Sequence, residues 1–230
     1  MEFLKHLLPD FKQDKHYGFV LVGLVVALAA YPLCVNLFLG RILLNIWLML
    51  TLIQLILSHQ VYHAHRIQSI FLGSMSLLLS LVSVSSNFFS FQVLHFYKLL
   101  LPFSALFFFY CAWVITCSIF NQRRVTLDLI YGSVLAYILI GVSWALIFCC
   151  IELFVADSFS FSSEVTLSDK TSALIYFSFV TLTTLGYGDV LPVTTFAKTV
   201  AYLEAITGVM YPAILISTLV GKFGLSDKEE

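Results

Sequence analysis

The 230-residue chain is 60% hydrophobic and only 11% charged, with a formal net charge of -1. Soluble domains run to about half apolar and about a quarter charged, so this composition points to a bilayer and offers no basic surface for nucleic acid. The five cysteines, Cys34, Cys111, Cys117, Cys149 and Cys150, lie inside apolar runs with neither metal-ligand spacing nor a disulfide framework, and read as small buried side chains.

A helix needs about 20 apolar residues to cross a bilayer core. After a head at 1–16, charge-free runs at 17–40, 42–58, 67–86, 99–122 and 129–151 meet or approach that length. A sixth, 196–221, carries only Glu204 and Lys198 near its start. Within the first run, Ala27-Leu28-Ala29 resembles a signal-peptidase site, but the apolar stretch continues to Leu39 and is read as uncleaved. Asn36, Asn45 and Gln54 read as hydrogen-bond partners between helices. His59, His63 and His65 cluster beside Arg66 and read as loop histidines, with metal or proton sensing as the lesser alternative.

The fourth crossing, 99–120, contains no arginine or lysine. A voltage sensor moves several such charges through the field, each worth about 2.3 kcal/mol per 100 mV, so gating by charge in this helix is not expected. Between the fifth and sixth crossings lies a shorter apolar stretch, 171–185, too brief to cross and return as regular helix. It reads as a re-entrant segment, tolerated only where protein or water covers it. With six crossings and the N-terminus inside, the inner segments hold Lys5, Lys12, Lys15, Arg66, Arg123, Arg124, Lys222 and Lys228. The outer ones hold Arg41, Lys98, Lys170 and Lys198, a bias that puts both termini in the cytoplasm. The expected organisation is an N-terminal segment at 1–16, a four-helix membrane domain at 17–122, a second membrane domain at 123–221 and a tail at 222–230. The head and tail are each too short for a core of their own.

Residues 181–189 read TLTTLGYGD. Replacing the hydration shell of a cation requires fixed oxygens at successive sites. An extended strand ordinarily alternates its carbonyls, and left-handed residues in alternation bring them to one axis; glycine adopts that conformation without steric cost. Gly186 and Gly188 flank Tyr187 where this is needed. Thr184 can add its hydroxyl to the innermost site, and Leu185 and Tyr187 point their side chains away from the axis.

This stretch resembles the selectivity filter of potassium channels. The doubled threonine, the following aspartate, the re-entrant helix and a membrane helix on each side make the likeness specific. Across 125–221 the chain resembles the small six-helix ion-channel proteins of prokaryotes; the first four helices match only in hydropathy and in lacking arginine. One departure is Leu185, where many potassium channels have valine. The resemblance implies an all-α membrane protein of six helices, with a pore helix and filter between the fifth and sixth, assembled as a homotetramer in the cell membrane.

It further implies that carbonyls of Thr184, Leu185, Gly186 and Tyr187 coordinate potassium, with Thr183, Gly188, Asp189, Tyr176 and Glu204 in support. The pore helix is expected at 174–182, after a turret at 156–170, with Ser168 or Thr171 as its cap. Its C-terminal end favours a cation. Gly208 stands where such inner helices bend, Pro212 favours a kink, Val209, Pro212 and Ile216 face the water-filled path, and Val220 lies near the cytoplasmic constriction. Tyr176 is expected to hydrogen-bond Asp189, with Val180 where some channels place a second carboxylate. Glu152 should end the fifth helix at the outer face. Glu204 should sit behind the filter against Thr181 or Thr183, the alternative being an acidic ring in the cavity, and its burial would link the filter to protons. The implied activity is passive potassium conduction, with no enzymatic function, no cofactor beyond the permeant ion, and lipid as the surrounding partner. A weakly selective cation channel, a potassium-transporter subunit and a non-conducting partner of another channel are the rivals.

Overall fold

The computed structural model describes residues 17–34, 73–74, 78, 92–122, 125–161 and 167–226. Five helices and two short strands are described: α1 (Tyr17–Cys34), α2 (Gln92–Asn121), α3 (Leu127–Phe154), β1 (Phe159–Phe161), α4 (Leu167–Leu182), β2 (Val190–Pro192) and α5 (Thr195–Ser226). The expected second crossing, all but 73–74 and 78 of the third, Asn36, Asn45, Gln54, the histidine cluster and the Arg123-Arg124 pair lie outside the described residues.

Among the described residues, three helices are long and apolar enough to cross a membrane: Leu101–Asn121, Leu127–Phe154 and Thr195–Lys222. They coincide with the fourth, fifth and sixth expected crossings. The fourth helix starts earlier than hydropathy suggested, at Gln92, and so takes in Lys98. α3 begins where Thr126 accepts the Leu129 N–H at 3.2 Å, and α5 where Thr194 accepts the Ala197 N–H at 3.3 Å. Both are N-caps that satisfy an orphan donor of the first turn.

The chain forms two compact units, 1–136 and 137–230, dividing within α3. In the first, Leu24, Phe107, Ile115, Ile119 and Leu129 are fully enclosed. The Tyr17 N–H donates to Asp128 Oδ1 at 3.1 Å, tying the start of α1 to the start of α3. Ser118, near the end of α2, lies beside the same tyrosine. In the second unit, Phe148 of α3, Phe159 of β1 and Phe177 of α4 meet edge to face, with centroids 5.0–5.5 Å apart. Aromatic pairs in this geometry add about 0.5–1.5 kcal/mol each beyond burial.

A helix is present where one is expected at 174–182, but α4 starts at Leu167. Ser168 and Thr171 therefore lie within the helix rather than before it. The early start has a cause: Lys170 donates to Glu152 Oε1 at 2.7 Å, and Glu152 Oε2 accepts the Phe159 N–H at 3.2 Å. One carboxylate at the C-terminal end of α3 thus holds both the first turn of α4 and β1. β1 and β2 then pair antiparallel, Ser160 opposite Leu191, bringing the residues after TLTTLGYGD back to the turret.

Candidate functional site

α4 ends at Leu182, and the chain leaves it through turn hydrogen bonds: Thr183 N–H to Phe179 O at 3.1 Å, Thr184 N–H to Thr181 O and Leu185 N–H to Val180 O, each at 2.9 Å. Beyond these turns the backbone alternates in conformation. Gly186 has φ 59° and Gly188 φ 79°, the left-handed values expected for them. Thr184 has φ 60° as well. Residues 184, 186 and 188 are therefore all left-handed, with ordinary residues between them. This alternation departs from a regular strand, in which successive residues face opposite sides.

The side chains of Leu185 and Tyr187 are exposed in the single chain, and Tyr187 lies parallel to Tyr176 with ring centroids 6.4 Å apart. The Tyr176 side chain lies beside the Asp189 carboxylate. Asp189 Oδ1 accepts the Val190 N–H at 3.1 Å, at the start of β2. Val180 is buried and offers no second carboxylate there.

At the inner end of the strand α5 passes close to α4. A β-carbon on Gly208 would overlap the Leu182 carbonyl oxygen. The Tyr137 hydroxyl of α3 donates to that same carbonyl at 3.2 Å and its ring stacks on Tyr211 of α5, centroids 5.9 Å apart. Gly208 is thus a contact residue at the base of the strand, and α5 runs as helix through it and through Pro212.

Glu204 is buried behind the strand, but its partner differs from expectation. Its Oε1 lies 2.5 Å from Ser178 Oγ; the expected Thr181 and Thr183 do not hold it, and Thr183 instead donates to the Phe179 carbonyl at 2.7 Å. Ser178 and Leu182 are one turn apart on α4, Glu204 and Gly208 one turn apart on α5. The two pairs lie side by side, so the glycine contact aligns the glutamate with the serine. Ser178 was the residue the sequence reading missed, although this matched spacing of four was present in it. Val209, Ile216 and Val220 are exposed along α5, and Pro212 is half-buried.

The comparisons with known proteins concern this same region. Residues 147–223 match the family model described as "Ion channel". The A-type voltage-gated potassium channel KCND3 of rat is 31% identical over 92 residues, 40% of this chain and 14% of that protein; the human KCND3 matches equally. Protein LctB of Bacillus caldotenax is 29% identical over 108 residues, 46% of this chain and 80% of LctB. The chain thus spans about one seventh of the length of the KCND3 channels, as 14% of each is covered. No solved structure matches. An ion-channel-like segment at 147–223 thus coincides with the alternating left-handed residues, in a chain with helices long and apolar enough to cross a membrane.

Proposed function

We propose that the protein is a potassium-selective channel that conducts passively as a homotetramer of six-helix subunits. The observation that carries this reading is the left-handed alternation at Thr184, Gly186 and Gly188. It supports a row of carbonyls from Thr184, Leu185, Gly186 and Tyr187 that could replace the hydration shell of potassium. One chain supplies one such strand, and enclosing an ion takes four around an axis. α5 favours assembly too: only 11% of its membrane-length window is buried within the chain, leaving an apolar surface for neighbouring copies, lipid and the lumen.

The crossing pattern has support as well. α1 and α3 begin at the face where α2 ends, as the first, fourth and fifth crossings should in a six-crossing chain with cytoplasmic termini. α2 carries Lys98 near its start and no arginine or lysine over Leu101–Asn121, which argues against a charged voltage sensor.

The test is purified protein in planar bilayers and liposomes. Potassium and rubidium should pass, sodium should not, barium should block, and voltage dependence should be shallow. Gly186→Ala should abolish the current, because a β-carbon conflicts with φ 59°. A reversal potential that ignores a potassium-to-sodium gradient would leave only the weakly selective reading, and slow saturating flux would favour a transporter subunit.

A further inference from the structure

Ser178 sits between two oxygens. Its Oγ is 2.8 Å from the Gly141 carbonyl of α3 and 2.5 Å from Glu204 Oε1 of α5. A hydroxyl owns one proton, and a backbone carbonyl can only accept. If Ser178 donates to Gly141, the shorter contact needs a proton from the acid. The other arrangement has Ser178 donating to an ionised Glu204. That leaves a carboxylate with no solvent exposure, whose Oε2 has no hydrogen-bond partner. A buried charge without a counter-charge is the costlier state.

Among the described residues, nothing cationic faces it. α3 contributes Tyr137, within electrostatic range, but its hydroxyl is committed to the Leu182 carbonyl. α4 contributes only the Ser178 hydroxyl. Glu152 and Lys170 pair with one another, and Lys198 on α5 is exposed.

We infer that Glu204 is held as a neutral acid, closing a relay from the Glu204 O–H to the Ser178 O–H to the Gly141 carbonyl that positions the pore helix between the outer and inner helices. The relay lies one turn before Leu182, where the conducting strand begins. Removing the proton would draw the Ser178 hydrogen onto the new carboxylate and release Gly141, loosening α4 from α3. Glu204 and Ser178 are therefore positioning residues, and their functional readout rests on the channel reading.

The test uses the full chain in liposomes, with two measurements. Infrared spectra of protein carrying isotope-labelled glutamate should show a carboxylic-acid C=O band at neutral pH that Glu204→Gln removes. Potassium flux should hold from acid to neutral pH and fall reversibly in alkali, and Glu204→Gln, which stays neutral, should abolish that fall. Ser178→Ala should lower flux about tenfold at every pH, the scale of one lost buried hydrogen bond, with Ser178→Thr restoring it. If Glu204→Gln does not assemble, Ser178→Ala still serves, because the acid band must shift when its acceptor is removed. An ionised Glu204 at neutral pH, or an alkaline fall that persists in Glu204→Gln, overturns the relay. Absence of flux at every pH overturns the channel reading instead, while the infrared band still judges the relay.

Discussion

Thr184 holds a left-handed backbone, φ 60°, although it is β-branched. Such a residue costs about 1–3 kcal/mol there and persists only when its surroundings over-determine it. The turn hydrogen bonds at the end of α4 and the Asp189 contacts at the other end of the strand supply that restraint. The outer restraint includes the Tyr176 side chain beside the Asp189 carboxylate. With valine at 180, no second carboxylate shares the task. Tyr176→Phe should therefore leave assembly and selectivity intact while current decays faster during steady conduction or on lowering potassium. Single-channel recording checks this, and a Phe variant with wild-type kinetics would refute it. The two glycines were legible in the sequence because their residue type declares the conformation. Thr184 was not, since nothing in a threonine announces a positive φ. Glu204 meets Ser178 rather than a filter threonine because the i, i+4 faces of α4 and α5 set Ser178 and Leu182 beside Glu204 and Gly208.

At the scale of elements, the contact between α4 and α5 turns on Gly208. If this glycine served only as a bend, Ala at 208 would stabilise the helix by about 1 kcal/mol through propensity. The structure gives the opposite sign: the new β-carbon would collide with the Leu182 backbone, and a forced shift of this kind costs about 1–3 kcal/mol. Gly208→Ala should thus lower the thermal unfolding midpoint of the detergent-solubilised protein, read by fluorescence or calorimetry; a raised midpoint would mean that the helices part here without penalty. The membrane-length helices were legible because twenty apolar residues have few other fates. The first two turns of α4 were not, since LSDKTS is polar and looks like loop. Their helicity depends on Lys170 reaching back to Glu152, eighteen residues earlier. The β1–β2 pairing was hidden for a similar reason: three residues on each side carry no alternation long enough to read.

At the scale of the whole molecule, each chain brings one strand of alternating left-handed residues and one nearly bare helix, α5. In the proposed tetramer, each subunit would contribute one wall of a single conduction path. If wild-type chains and Gly186→Ala chains assemble at random in equal amounts, about one tetramer in sixteen, (1/2)⁴, contains only intact strands. Potassium flux from co-expressed protein should fall to roughly that fraction, whereas independently conducting subunits would leave about half. Flux near one half would exclude a shared path. The bare face of α5 thereby has a genetic consequence. A damaged copy that still folds would be worse for the cell than a deleted one, because its inner helix would enlist intact partners into silent assemblies, and such alleles would behave as dominant.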